Sequence, residues 1–359
     1  MVNKFLLSAI LVIPFLFGCA DKFDINQLGN TSGTTNISGD TVYVQIDPTH
    51  PWAGFNNPQA ILVGKEPFIY VCDTDNDKIV MFNTAGTRLG EISIKKPIAI
   101  AQDYRLNLIV CAQFDTLINS VPKTFSAVYK IDLFSANHII ANAPVRKILP
   151  RTTDYNFPLR QYTAAATFFD NSYYIARIGP NNTSIGDPDN AILQFVPLDH
   201  NNDSAYGSVH DIDPISTGLI SANGINCMTT FNKKNIDFIA TYSSESAFKA
   251  QWFFHFQTPA SEGYVSKFDP KQGVKFAQPN RFGSPNGSCL DPSGNIYISD
   301  SKKDSVFKFS AFGDELQSFG GPTVFSRPTG VAFFDRTLYV LDAGNNAVLR
   351  FILSTDIGQ

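Results

Sequence analysis

The chain has 359 residues, 43% of them apolar and 17% charged, a balance that suits a well-packed globular protein and excludes a disordered one. Its formal charge is −4 and it contains no block of basic residues, which argues against a nucleic-acid role and against electrostatic attraction to an anionic membrane. Phenylalanine is abundant, at 31 residues, so a large core is easily assembled.

The first element in the chain is a targeting segment rather than folded structure. Lys4 supplies a short positive start, and Phe5 to Phe17 is an uncharged apolar run. That run is too short to span a bilayer, which needs about 20 residues. It ends in Leu16-Phe17-Gly18-Cys19, which resembles the lipobox of bacterial lipoproteins, although Phe17 is bulky for its position. The resemblance implies that residues 1–18 are a signal peptide, that cleavage falls before Cys19, and that Cys19 is acylated on its thiol and its freed amine. Several chains hold far better than one, because each buried CH₂ adds about 0.8 kcal/mol.

Residues 19–40 then read as the lipidated cysteine and a flexible tether rich in Asn, Thr, Ser and Gly. Fully stretched, about 20 residues reach roughly 65–70 Å. Asp21 and Asp24 resemble the surface-export signals of some Bacteroidetes lipoproteins, with the choice between outer and periplasmic leaflet left open.

From residue 41 onward the pattern repeats. Thr41 to Ile46 alternates as a strand. Pro58-Gln59-Ala60-Ile61 leads to Phe68-Ile69-Tyr70-Val71-Cys72-Asp73 and then to Ile79-Val80-Met81-Phe82 and Gly86. The same order recurs from Pro285 through Ile296-Tyr297-Ile298-Ser299-Asp300 to Val306-Phe307-Lys308-Phe309, and from Pro328 through Leu338-Tyr339-Val340-Leu341-Asp342 to Val348-Leu349-Arg350-Phe351. Weaker copies begin near Pro97, Tyr162 and Asn223, with third strands read at 127–132, 191–195 and 264–268. Each run is apolar or alternating over four to six residues and is bounded by Gly, Pro, Asn or Asp.

These copies resemble the NHL repeat, which implies an all-β, six-bladed β-propeller over residues 41–359. A blade alone cannot bury its faces, so the blades stabilise one another only by stacking around a closed ring. The last repeat stops after its third strand, and the strand at 41–46 is expected to complete it. Asp73, Asp300 and Asp342 share one repeat position, where a short carboxylate accepts N–H bonds from the following turn.

Candidate chemistry is sparse. Asp73, Asp75 and Asp77 resemble a calcium loop in spacing, but Lys78 and Thr84 stand where such a loop needs Gly and Glu. His50, His138, His200, His210 and His255 show no tight metal spacing, and the stretch from Asp199 to Asp213 reads as a solvated polar loop. Amidating lyases of similar fold hold zinc with histidines around the channel, a pattern not matched here. Propeller lactonases use Glu, Asn and Asp around a channel calcium, and Asn223 and Asn286 lie near strand starts without completing such a set. Cys72, Cys111, Cys227 and Cys289 fall inside strands and are expected to be buried, unpaired thiols.

The middle three repeats are stretched, at about 113–125, 177–190 and 242–263, and such insertions on one face of a repeat scaffold often form the binding surface. One holds Trp252-Phe253-Phe254-His255-Phe256, read either as a further strand or as an apolar loop suited to a protein or a sugar ring. The expectation is a lipid-anchored outer-membrane or envelope binding module for envelope proteins, with no cofactor beyond the lipid on Cys19, no catalytic or metal residues, and Trp252 to Phe256 as the candidate binding loop. The alternatives are a metal-dependent lactonase-like or lyase-like enzyme working at the central channel, and a glycan-binding surface lipoprotein.

Overall fold

Short runs of Val, Ile, Tyr and Phe, cut every few residues by turn formers, leave room for strands and single 3-10 turns only. The structure, a computed structural model, describes residues 41–198 and 202–357. Cys19, the signal segment, the tether and His200 lie outside the described residues.

Strand β1 (Tyr43–Ile46) comes first. Blade one follows as β2 (Ala60–Val63), β3 (Phe68–Asp73), β4 (Lys78–Asn83) and β5 (Arg88–Ser93). Blade two is β6 (Ala99–Gln102), β7 (Asn107–Ile118), β8 (Val121–Asp132) and β9 (Val145–Leu149). Blade three is β10 (Gln161–Thr167), β11 (Tyr173–Ile178), β12 (Ala191–Pro197) and β13 (Asp203–Ser208). Blade four is β14 (Ile225–Thr230), β15 (Phe238–Tyr242), β16 (Ala250–Gln257) and β17 (Glu262–Ser266). Blade five is β18 (Pro285–Leu290), β19 (Ile296–Asp300), β20 (Ser305–Phe309) and β21 (Glu315–Gly320). Blade six is β22 (Pro328–Phe334), β23 (Thr337–Asp342) and β24 (Ala347–Leu353), completed by β1. All six sheets are four-stranded and antiparallel, a six-bladed propeller.

The closure expected from the sequence is present. Tyr43 pairs with Leu353 and Ile46 with Arg350, and Trp52 adds a further bridge to Val348. Both ends of the described chain thus sit in one sheet.

The core is divided among the seams between blades. Six buried clusters occur, one per pair of neighbouring blades, including the pair of blades six and one. Second strands feed two seams at once, because successive side chains point to opposite faces. Ile69 and Val71 pack toward blade six, while Tyr70 and Cys72 pack toward blade two. This is why these strands read as continuously apolar. It also places Cys72 and Cys111 in different seams, where both stay free and buried.

Asp73, Asp300 and Asp342 are fully buried and tie each blade to the segment that enters it. Asp73 accepts Asn56 N–H at 2.7 Å, Asp342 accepts Ser326 N–H at 2.8 Å, and Asp300 accepts those of Gly283 and Ser284 at 2.6 and 2.8 Å. The donated backbone N–H groups lie mainly in the connection preceding the blade, and the following turn adds the side-chain amide of Asn76 to Asp73, that of Asn345 to Asp342, and the Lys302 and Lys303 N–H groups to Asp300. Blades three and four fill the same register position with Arg177 and Tyr242. Tyr242 keeps the function by donating its hydroxyl to the Ser221 carbonyl at 2.8 Å.

Two stretched regions differ from the sequence reading. Residues 113–125 are no loop: β7 and β8 run for 12 residues each and meet at Asn119-Ser120, both with positive φ, the signature of a tight hairpin turn. In blade four the third strand is β16, which contains Trp252 to Phe256, and residues 264–266 belong to the fourth strand. Periodicity alone does not separate a long apolar insertion from a strand. Tyr264, assigned from sequence to the third strand, instead packs edge-on against Phe238 and Phe253 from the outer strand.

Candidate functional site

Six first strands, β2, β6, β10, β14, β18 and β22, surround a central channel of about 970 Å³. Their polar side chains are largely turned sideways. Thr167 donates to Gln102 O at 2.7 Å, Thr230 to Thr167 O at 2.8 Å, Thr229 to Ser288 O at 2.8 Å and Thr329 to Pro58 O at 3.0 Å. Each bond joins neighbouring blades, and the Asn226 amide likewise donates to Pro285 O at 2.9 Å. The stitching satisfies inner-edge carbonyls that have no ladder partner. The partly exposed apolar side chains left on the channel wall include Leu62, Val63, Ile98 and Ile100, together with the thiol-bearing Cys227 and Cys289.

The blades approach so closely that glycine is needed at one point: a Cβ on Gly287 would stand 2.7 Å from the Gly330 backbone of the next blade. Cys227 Sγ lies 3.6 Å from Ser288 Oγ, and burial raises the pKa of both channel thiols, Cys289 well above its ordinary value.

One mouth of the channel is formed by the turns from first to second strands. There Lys65 of blade one reaches across to Asn232 of blade four, Nζ to Oδ1 at 3.2 Å, and its ammonium lies 4.2 Å from the centre of the Tyr104 ring. Burial lowers the Lys65 pKa, against an opposing pull from Asp103. Lys233 lines the same mouth, and neither lysine forms an ion pair among the described residues. Two carboxylates line it as well. Asp291 is engaged by Asn295 N–H at 2.9 Å, Asn295 Nδ2 at 2.7 Å and the Tyr297 hydroxyl at 3.1 Å, and Asp335 is exposed in blade six.

The opposite face carries the long connections of blades two to four. Arg177, at the repeat position held elsewhere by aspartate, binds the Asp189 carbonyl at 3.0 Å and the Asp187 carboxylate at 2.6 Å. Arg160 completes the clamp on residues 179–190 with 2.6 Å to Asp189 and 2.9 Å to Asp187. Burial acts to raise the Asp187 pKa, but the hydrogen bonds from Arg177 and Arg160 outweigh it and the net shift is downward. The β7–β8 arm is braced where Phe114 and Phe125 meet Tyr155, with Lys147 Nζ 3.6 Å from the Phe114 ring centre. Above these braces Leu117, Val121, Phe157, Leu159, Ile185 and Ile215 are exposed.

The run Trp252 to Phe256 is placed elsewhere. Trp252 stacks on Phe231 at 4.3 Å and donates to Asp237 at 3.2 Å, and Phe253 is fully buried on Phe238. Phe254, His255 and Phe256 are partly exposed along β16. The run is therefore a strand with its first two rings in the seams, not a loop. Asn286 lines the channel and Asn223 does not. Asp73, Asp75 and Asp77 are each engaged within the fold, with Asn56, Lys96 Nζ and Lys96 N–H respectively. Among the described residues no group of three His, Cys, Asp or Glu side chains is arranged around a metal position.

No protein-family model matches the chain, and no curated protein is similar to it in sequence. Solved structures share its architecture. A luciferin-regenerating enzyme superposes with a TM-score of 0.56 at 13% identity, over 89% of this chain and 96% of that one. A gluconolactonase from Xanthomonas campestris gives 0.54 at 12%, over 88% and 90%. A protein of unknown function from Bacteroides thetaiotaomicron gives 0.54 at 12%, over 88% and 76%. At such identities the likeness establishes the six-bladed propeller and nothing further.

Proposed function

We propose that this chain is a lipid-anchored binding module of the cell envelope, an NHL-type propeller tethered to the outer membrane through Cys19. It engages envelope proteins with the face that carries the long connections of blades two to four. The observation that carries this reading is the apolar set Leu117, Val121, Phe157, Leu159, Ile185 and Ile215, exposed on connections that all emerge at one face. Apolar side chains are exposed on the opposite turns as well, at Tyr104, Phe134, Phe169 and Phe312, and what sets this face apart is that long, braced connections present them. The Arg160 and Arg177 clamp and the Phe114–Phe125–Tyr155 stack hold these connections in place before a partner arrives, which lowers the ordering cost of binding.

A channel enzyme akin to the gluconolactonase is the rival. Its support is weaker, because the lumen-lining carboxylates among the described residues are Asp291 and Asp335, and Asp291 is already engaged by its own turn. The test is chemical cross-linking in membranes with mass spectrometry. Leu117→Ser combined with Ile185→Ser should remove the cross-linked partner while leaving the melting curve unchanged. A partner retained by that variant, or multiple-turnover hydrolysis of a lactone by the purified chain, would discard the reading.

A further inference from the structure

We propose that the central channel is a binding site for a small amphiphilic monoanion, an alkyl carboxylate whose chain fills the lumen and whose head sits between Lys65 and Lys233. This goes beyond the partner-binding face, which lies at the other end of the ring. The cavity is about 970 Å³, within the range of small-molecule sites, and its wall combines the two kinds of surface such a ligand needs.

The first surface is apolar, and the reason is the stitching. The first strands bring Thr, Ser and Asn to the channel wall. In the structure Thr167, Thr229, Thr230 and Thr329 give their hydroxyl protons to carbonyls of neighbouring blades. The Asn286 amide oxygen accepts from Ser301 Oγ at 2.5 Å, which occupies an acceptor rather than a donor. A polar ligand would find few free threonine hydroxyls there, whereas an alkyl chain would meet Leu62, Val63, Ile98 and Ile100 at no hydrogen-bonding cost.

The second surface is cationic and placed only at one mouth. Lys65 and Lys233 come from opposite sides of the ring, and no carboxylate neutralises either within ion-pair distance among the described residues. Lys65 donates instead to the neutral Asn232 oxygen, a position that a carboxylate oxygen would occupy with a stronger, charge-assisted bond. Tyr104 backs the ammonium at 4.2 Å and limits its freedom. Asp291 and Asp335 lie on blades five and six of the same mouth, and their charge disfavours a doubly charged head, which is why a monoanion is specified.

The test is calorimetric titration of the full chain with octanoate, octanol and octylammonium, all monomeric in water at the concentrations needed. Octanoate should bind saturably at one per chain, octanol about tenfold more weakly, and octylammonium not measurably. Lys65→Gln with Lys233→Gln should weaken octanoate about tenfold and leave octanol unchanged, and Ile100→Trp should abolish both. Bound octanoate should also protect Cys227 and Cys289 from alkylation, a readout that needs no substitution. Absence of saturable octanoate binding, equal binding of octanoate and octylammonium, or binding without protection of these thiols would overturn the assignment.

Discussion

The hydroxyls of Tyr43 and Tyr297, 254 positions apart in the chain, meet at 2.8 Å across the seam between blades six and five. Tyr43 belongs to the closing strand and also stacks on Phe319 at 4.8 Å, so one side chain joins the ring's closure to the neighbouring sheet. Tyr297 keeps a second partner in Asp291 at 3.1 Å. Tyr43→Phe should therefore cost only about 1 kcal/mol, because the ring packing persists and Tyr297 stays satisfied. Urea unfolding of the variant checks this, and a loss several times larger would show that the hydroxyl pair matters more than the packing.

The same burial sets an alkaline limit. Tyr43, Tyr70, Tyr162, Tyr173, Tyr264 and Tyr297 all have pKa values raised above the ordinary 10.0, burial being the largest cause in each. The unfolded chain then releases phenolic protons that the folded chain retains, so the unfolded state binds fewer protons above that pH. Stability is fully present below about pH 10 and falls as the pH rises further. Urea midpoints should hold up to about pH 10 and drop as the pH rises above it, with the tyrosinate absorbance rising together with unfolding. Tyrosinate appearing well before unfolding would contradict the burial of these side chains.

The two aspartates of the clamped connection should respond differently. Arg160 and Asp189 are buried together, and removing Arg160 strands a buried carboxylate. Arg160→Ala should cost about 3 kcal/mol or more. Asp187 is half exposed, and Asp187→Ala should cost less than about 1 kcal/mol. Chemical denaturation of both variants, with limited proteolysis of residues 179–190, separates the two effects.

Gly287 makes a sharper structural prediction. With the Gly330 backbone 2.7 Å from where its Cβ would stand, Gly287→Ala should force the inner strands of blades five and six apart. The expected loss is about 1–3 kcal/mol. An unchanged melting temperature would mean that the inner strands are farther apart than described.

Thiol reactivity reads the architecture from another side. Cys72 and Cys111 are fully buried in separate seams, and burial pushes both thiols up. They should resist iodoacetamide at pH 8 until the chain unfolds, whereas Cys227 and Cys289, on the channel wall, should react slowly in the native state. Peptide mapping after alkylation checks the order. A Cys72–Cys111 disulfide would break the blade assignment.

Much of the ring was legible because inner strands buried on both faces need continuous apolar runs, and Ile69 to Cys72 and Leu338 to Leu341 show them plainly. The closing strand was legible too, since Tyr43 to Ile46 alternates and the last repeat lacked a partner for β24. Blade four was harder. Trp252 to Phe256 sits in an insertion whose length fits a loop as well as the further strand the sequence also allowed, and pairing with β15 and β17 identifies it as β16. Arg177 concealed its role by reversing the charge of the repeat aspartate, since its partners lie 10–12 residues further along. The channel was legible as a place, with Asn286 near its wall, but not in its character. Its apolar character depends on which way Thr167 and Thr229 point, and its mouth joins Lys65 to Asn232 across 167 residues.

Deleting residues 41–47 and following thermal unfolding by near-ultraviolet circular dichroism tests ring closure most directly. Loss of β1 would leave β24 as an open edge and remove Tyr43 from its seam, so the variant should lose its cooperative transition altogether. A variant that melts cooperatively at the temperature of the intact chain would contradict a ring closed by its own N-terminal strand.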